Sequence, residues 1–225
     1  MKSQDIFVIE EYVTPHLVGL YHQNKRPYHN LNHALKVATF ARELARLEMD
    51  KDNSLAVWHP VQNKYMMPDY AYVAGLWHDV VYVPGAKDNE ELSATIALQS
   101  GGVNELVWNW IRHTTIADHL SDAALDKYHA CLLDADVSSL AYSWDDFMAN
   151  NGAICAEMKC THQDSAEFLL KFLNKEQIYR TKYCKQHLED AARLNIKKYR
   201  ALASSYDDLI NIENDSKRFG KWTRY

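Results

Sequence analysis

Glycine and proline are scarce in this chain, and apolar residues recur at helical spacing along most of it. Only 7 glycines and 5 prolines occur among 225 residues. Because folds rich in β-sheet need many turn residues, this scarcity favours long helices. Segments such as 31–49 and 125–140 carry apolar residues three or four positions apart, as the buried face of a helix does. The sequence therefore predicts an all-α protein.

The same periodicity sets approximate helix boundaries. The first helix is predicted at 4–22, where Pro15 would kink or split it, and the second starts at Tyr28 or Leu31 and ends at Met49. Residues 50–68 are predicted to form a loop. Asp88 is predicted to cap the helix that follows it, with Glu91 completing a capping box. Further helices are predicted at about 103–119, 122–141, 144–150, 152–174 and 183–213.

Composition limits the classes of function. The formal net charge of −5 argues against an extended nucleic-acid groove or an anionic membrane as the main partner. No apolar run reaches the roughly 18 residues of a membrane span. The four cysteines form no C-x-x-C pair, and the first residues are acidic where a signal peptide would be apolar. We expect a cytoplasmic protein with reduced thiols.

A histidine–aspartate pair interrupts a strongly apolar segment. His78 and Asp79 lie within AYVAGLWHDVVYVPG, a predicted buried helix from Tyr70 to Val83 that Pro84 and Gly85 would end. A buried carboxylate is costly unless it pairs with another charge or binds a cation. The pair is therefore either a structural ion pair or part of a metal site.

Two other segments place titratable side chains on apolar faces. His29 and His33 are four residues apart, so they share one face of any helix that includes both. One of them could instead be a helix cap or a structural core histidine. Asp134 and Asp136 in LLDADV point about 200° apart on a helix, so only one of them faces a given site. The apolar stripe favours Asp136, and Asp134 is the alternative.

Taken in order, these segments resemble a known superfamily signature. The set His33, His78–Asp79 and Asp136 resembles the H…HD…D signature of the HD superfamily of metal-dependent phosphohydrolases. YHNLNHALKV, HDVVYVPG and DADVSSL are similar to segments of cyclic-nucleotide phosphodiesterases. WHDVVYVPGAKDNEELSA and LLDADVSSL are similar to a family of small bacterial predicted HD phosphohydrolases. The resemblance implies a phosphohydrolase built on an HD-type helical bundle.

The resemblance has limits along the chain. It covers about residues 26–140, and the helices at about 152–213 are expected to pack on that core in a single domain of residues 1–225. Val81 and Tyr82 stand where the phosphodiesterases carry aspartate and histidine. A phosphodiesterase-like second metal and specificity for cyclic nucleotides are therefore not implied.

The resemblance implies a role for each candidate residue. The expected metal ligands are His33, His78, Asp79 and Asp136, and two imidazoles with two carboxylates suit iron, manganese, nickel, cobalt, zinc or magnesium. A bound divalent cation would activate a water molecule. The predicted catalytic residues are His29, as general acid or base, and Glu90, with Glu91 as its alternative. Arg26 and His113 are candidates for substrate binding. His113 and His119 could also complete a second metal site, although a surface position is favoured for His119.

We therefore expect a metal-dependent phosphohydrolase that cleaves a phosphomonoester or phosphodiester of a small molecule, with a nucleotide as the expected substrate. Two alternatives stay open. One is an HD-type di-iron oxygenase, which would need more histidine ligands around two metals. The other is a regulatory or binding module that kept the metal without turnover. The sequence does not indicate an oligomeric state.

Overall fold

The computed structural model describes residues 12–22, 25–49, 67–123 and 126–219, and within these ranges it contains helices and no strand. The all-α prediction is confirmed. A single 3₁₀ turn, Ser138–Ala141, accompanies the α-helices. In chain order the α-helices are α1 (Pro15–His22), α2 (Leu31–Glu48), α3 (Met67–Trp77), α4 (Asn89–Gln99), α5 (Glu105–Arg112), α6 (Ile116–Leu120), α7 (Lys127–Asp136), α8 (Trp144–Met158), α9 (His162–Leu173), α10 (Lys182–His187) and α11 (Glu189–Phe219).

Helix α2 is at the centre of the packing around the candidate site residues. It packs most extensively against α3 and then against α7. Helix α3 is apolar on every side, and all its residues from Pro68 to Trp77, apart from Asp69, are buried. A helix that is apolar all round belongs in the interior, which is where α3 lies. This arrangement brings the start of α2 close to the ends of α3 and α7.

The later helices share the same apolar core. Helix α11 packs on α9 and on the 3₁₀ turn, and one cluster of buried apolar side chains runs from Leu17 in α1 to Ala203 in α11. The single-domain organisation stays a prediction. None of the helices in the described ranges is long and apolar enough to cross a membrane.

Gly75 allows α2 and α3 to approach closely. A Cβ atom at this position would lie 2.6 Å from the Cα of Ala38 and 2.7 Å from its backbone nitrogen. Because backbone atoms cannot move aside cheaply, Gly75→Ala should lower the free energy of unfolding by about 1–3 kcal/mol. Gly19 is the matched control: it also lies in a helix, and nothing is within 4 Å of its added Cβ.

Gly19→Ala should be neutral or stabilising by up to about 1 kcal/mol, because alanine loses less backbone freedom than glycine in a helix. Denaturant unfolding of the two variants measures both changes. Equal stability of the Gly75→Ala variant and the wild type would show that the two helices separate without cost.

Helix α3 ends at Trp77, six residues before the predicted end. The carbonyls that would continue its ladder have tertiary partners instead. Arg26 donates from Nη1 to the carbonyl of Asp79 (2.6 Å) and from Nη2 to that of Val80 (3.2 Å). Ser93 bonds both backbone groups of Val81. The His78–Asp79 pair therefore lies in a turn held by distant side chains and not in a helix.

Other boundaries also differ from the prediction. Helix α1 begins at Pro15, where the absent N–H of proline costs nothing. Asp88 precedes α4 but its side chain makes no capping hydrogen bond, so the predicted capping box is wrong. The predicted helix at 103–119 is split at His113, and the one at 183–213 at Leu188. Residues 4–11 of the first predicted helix and 50–66 of the predicted loop lie outside the described residues.

Candidate metal centre

Three helix ends converge on one point of the interior. His33 lies in the first turn of α2, which Asn30 caps by accepting from the backbone N–H groups of Asn32 and His33. His78 and Asp79 directly follow α3, and Asp136 is the last residue of α7. The packing of α2 against α3 and α7 therefore brings together three segments that are more than 40 residues apart along the chain.

Each of the two imidazoles lies within contact distance of both carboxylates. His33 Nε2 is 3.5 Å from Asp79 Oδ2 and 3.1 Å from Asp136 Oδ1. His78 Nε2 is 3.0 Å from Asp79 Oδ2 and 3.4 Å from Asp136 Oδ1. One ligand atom from each of His33, His78 and Asp79 lies within 4.8 Å of the others. The structure thus brings the predicted ligand set together.

The hydrogen bonding of His78 fits a metal ligand. Its Nδ1 lies 2.8 Å from the carbonyl oxygen of Gly75, and because a carbonyl only accepts, Nδ1 carries the proton. Nε2 then faces the two carboxylates, where a metal would take the place of its proton. Among the described residues it is a buried nitrogen without a hydrogen-bond partner. Histidine ligands of metals are commonly held in this way through their second nitrogen, so these residues fit a divalent cation.

The electrostatics of the cluster also suit a cation. Burial lowers the pKa of His33 and of His78, but the two carboxylates outweigh it and leave both values raised. Burial raises the pKa of Asp79 and of Asp136, but the neighbouring imidazoles, above all His78, hold both below their usual range. The carboxylates therefore stay ionised in the interior, and a metal would replace the imidazole protons.

His119 contacts the candidate metal centre, although the sequence analysis favoured a surface position for it over a place in a second metal site. It is only 4% exposed, so the expectation that it lies at the surface is wrong. Its Nε2 donates to Asp136 Oδ2 at 2.9 Å, and its Nδ1 is buried without a partner among the described residues. The hydrogen bond orients the carboxylate of Asp136, so that Oδ1 faces His33 and His78. The break between α5 and α6, which turns His119 inward, has no counterpart in the apolar periodicity.

Asp134 has a different environment from Asp136. It is fully buried and accepts hydrogen bonds from the backbone N–H of Arg180, the backbone N–H of Thr181 (2.7 Å) and the hydroxyl of Thr181 (2.8 Å). Thr181 in turn caps α10. Asp134 therefore holds the chain before α10 onto α7, and Asp136 is the carboxylate in the cluster.

The two aspartates should respond differently to substitution. Asp134→Ala leaves buried donors of Arg180 and Thr181 without an acceptor, so we expect the free energy of unfolding to fall by on the order of 3 kcal/mol. Metal content per folded protein should stay that of the wild type. Denaturant unfolding and metal analysis of the purified variant measure both. Wild-type stability together with loss of metal would reverse the assignment of the two residues.

His29 lies outside helix α2, because Asn30 is the N-cap. The two histidines therefore do not share a face of one helix. Their rings are nevertheless close, with centroids 5.6 Å apart. His29 Nδ1 forms a close hydrogen bond with Glu157 in α8. The ring also stacks on Tyr82, with centroids 3.6 Å apart and planes at 17°.

Glu157 anchors the whole turn around His29. Its Oε2 accepts from the backbone N–H groups of Tyr28 (2.9 Å) and His29 (3.2 Å), and its Oε1 faces His29 Nδ1. Although burial raises its pKa, the hydrogen bond from His29 contributes to a net lowering of the pKa of Glu157. The ionised carboxylate fixes Nδ1 of His29 as the protonated nitrogen and leaves Nε2 free. Glu157 is a site residue that sequence reasoning missed.

The two acidic residues at the start of α4 have separate environments. Burial, followed by the charges of Asp79 and Asp136, raises the pKa of Glu90. Glu90 therefore lies within the field of the cluster. Glu91 is exposed, and its carboxylate pairs with Arg112 at 3.0 Å. Of the two alternatives, Glu90 is the one near the candidate metal centre.

Arg26 and His113 lie elsewhere than their predicted roles require. Arg26 is 8% exposed, and both of its terminal nitrogens bond the carbonyls at the end of α3. It holds the metal-binding turn and is not oriented for a substrate phosphate. His113 caps α5, and its Nδ1 is 3.4 Å from Asp118. Neither contact includes a member of the His33–His78–Asp79–Asp136 cluster.

Comparison with known proteins gives one match. A family model described as HD domain matches residues 30–140, the range that runs from the cap of α2 to the 3₁₀ turn after Asp136. No curated protein and no solved structure matches the chain.

Proposed function

Because residues 30–140 belong to the HD-domain family, we propose that this protein is a metal-dependent phosphohydrolase that cleaves a phosphoester of a small molecule. The observation that carries the proposal is the convergence of His33, His78, Asp79 and Asp136 within contact distance. All four face a common point where they can share one cation. The expected substrate class is a nucleotide.

The residues of the cluster would hold a divalent cation through two imidazole nitrogens and two carboxylate oxygens. Such a donor set suits iron, manganese, nickel, cobalt or zinc better than magnesium alone. When bound, the cation would supply activated water and neutralise charge on the phosphoryl group. His119 keeps Asp136 oriented, and Arg26 keeps the turn that carries His78 and Asp79 in place.

His29 would transfer a proton to the leaving oxygen. Its Nδ1–H is held by Glu157, so the proton that moves is the one on Nε2. The hydrogen bond to Glu157 orients the ring, and Tyr82 limits its rotation by stacking on it. Proton transfer by a positioned histidine typically contributes about 10²–10⁴-fold to a rate.

Glu90 would act on the attacking water. The raised pKa of its carboxyl, caused by burial and then by the charges of Asp79 and Asp136, makes it a stronger base than a solvated glutamate. It lies in the first turn of α4, and Ser93, one turn further along this helix, bonds the backbone of Val81 next to the metal-binding turn. We assign it to hold or accept the proton of that water.

The di-iron oxygenase alternative would need a second set of histidine ligands. Among the described residues, one group of histidine and acidic side chains is close enough together to hold an ion: His33, His78 and Asp79, with Asp136 in contact with both histidines. We therefore favour hydrolysis. The His29–Glu157 pair supports an enzyme over a regulatory module, because a module that only binds metal would not need a histidine oriented for proton transfer.

The proposal is tested by metal analysis of the protein as purified, followed by a panel of phosphomonoesters and phosphodiesters with each of several divalent cations. We expect about one cation per chain and hydrolysis that a chelator removes and the same cation restores. Two irons per chain with oxygen consumption would favour the oxygenase. One bound cation without turnover of any phosphoester would favour the regulatory module.

A further inference from the structure

One face of helix α2 continues away from the metal centre. His33, Lys36, Phe40 and Glu43 follow one another at spacings of three, four and three residues, so they lie on the same side of the helix. At a rise of about 1.5 Å per residue, Phe40 is about 10 Å along the axis from His33. A metal ligand, a cation, an aromatic ring and a carboxylate are thus arranged in a line.

Two cavities adjoin this face and meet each other. A small cavity of about 70 Å³ is lined by His33 and Asp136 of the candidate metal centre. A larger groove of about 560 Å³ is lined by Phe40, Glu43 and, from α10, Tyr183. Lys36, Ser138 and Tyr142 line both spaces. The groove therefore lies directly beside the cavity of the metal centre.

The sizes of the two spaces indicate what each can hold. Sites for small organic ligands typically measure about 300–1,000 Å³. The groove lies within that range at about 560 Å³, and the cavity of about 70 Å³ is too small for more than a phosphate-sized group. A substrate with its phosphate at the metal centre would therefore place the larger part of its leaving group in the groove.

The groove is lined by aromatic rings, and a lysine borders it at the end near the metal centre. The rings of Phe40 and Tyr183 lie with centroids 6.4 Å apart at 71°, and Thr39 and Leu35 complete that part of the lining. Lys36 supplies positive charge at the metal end, whereas the carboxylate of Glu43 at the far end pairs with Arg46. An anionic group is therefore favoured near Lys36, and an uncharged ring is favoured at the far end.

We propose that this groove binds the leaving group of the substrate, and that the leaving group ends in an uncharged aromatic ring separated from the phosphate by a polar spacer. The inference rests on the proposed function for the placement of the phosphate. A nucleoside 5′-phosphate has this build. An aryl phosphate, whose ring is attached directly to the phosphate, is too short to reach Phe40 from the metal centre.

The test compares adenosine 5′-monophosphate with ribose 5-phosphate, which has the same phosphate and spacer but no ring, and with phenyl phosphate. Binding is measured by calorimetry and hydrolysis by phosphate release, using metal-loaded protein. Stacking of a base on aromatic side chains typically changes affinity by about 5- to 150-fold. We expect the wild type to bind adenosine 5′-monophosphate more tightly than ribose 5-phosphate by a factor in this range.

Phe40→Leu and Tyr183→Leu keep an apolar side chain and remove the ring. Each should remove most of the preference for adenosine 5′-monophosphate and leave ribose 5-phosphate and phenyl phosphate unaffected. Phe168→Leu is the matched control, because Phe168 is an exposed ring on α9 that does not line the groove. Thermal unfolding verifies that each variant is folded.

The outcomes separate this inference from the proposed function. Hydrolysis of phosphoesters without a preference for the ring, or with a preference that both groove variants retain, would overturn the assignment of the groove and leave the phosphohydrolase intact. A preference for the ring that the groove variants lose, in a metal-loaded protein that hydrolyses none of the three compounds, would support the groove and contradict the phosphohydrolase.

Discussion

Asp136→Ala should eliminate metal binding and turnover together. Asp136 Oδ1 faces both His33 and His78, and it is the ligand that α7 contributes to the cluster. Loss of a residue that merely supports a ligand typically costs about 10- to 100-fold in metal affinity. Loss of a ligand should exceed that range, and phosphoester hydrolysis should fall below detection. Calorimetric titration with the activating cation measures the first change.

The control for this variant is Asp122→Ala. Asp122 is exposed and lies 3.9 Å from Lys175 at the surface, so its removal should change neither metal affinity nor turnover. His119→Ala should fall between the two, with metal affinity lowered by about 10- to 100-fold, because it removes only the hydrogen bond that orients Asp136. Full metal affinity in the Asp136→Ala variant would contradict the proposed centre.

His29→Asn should lower turnover by about 10²–10⁴-fold while the metal stays bound. The reason is that His29 lies beside the cluster but is held by Glu157 and Tyr82, and none of its side-chain hydrogen bonds includes a member of the ligand set. Turnover and metal content are measured on the same preparation. Loss of metal in this variant would make His29 a ligand, and unchanged turnover would make it a structural residue.

Glu157→Gln provides a second measure of the same pair. The amide oxygen can still accept from the backbone N–H groups of Tyr28 and His29, so the turn should stay folded. The ionised carboxylate that holds the imidazole is lost, and turnover should therefore fall. If Glu157 acts only through His29, the double variant should be no slower than His29→Asn alone. Additive losses would show that Glu157 has a role of its own.

The all-α class follows from local properties of the sequence. Helical spacing of apolar residues and few turn residues act over one segment at a time, and the structure agrees with both. The candidate metal ligands could also be identified from the sequence, because they interrupt apolar segments. His78, Asp79 and Asp136 are polar groups in segments that must be buried, and such groups need a partner or a cation.

Helix ends and supporting residues were determined by tertiary structure. Helix α3 stops at Trp77 because Arg26 and Ser93 take up backbone groups of the residues that follow, and neither contact is local in sequence. The role expected for Arg26 at a phosphate changed for the same reason: its partners are carbonyls more than 50 positions away. Local sequence patterns contain no information about such partners.

The site shows the same division. The sequence by itself determined which residue types could bind a cation and that they occur in buried segments. Only the packing of α2 against α3 and α7 decided that Asp136 joins the cluster while Asp134 bonds the chain before α10. Glu157, at the end of α8, meets His29, in the turn before α2, across 128 positions, and a pairing of that range depends on the folded backbone.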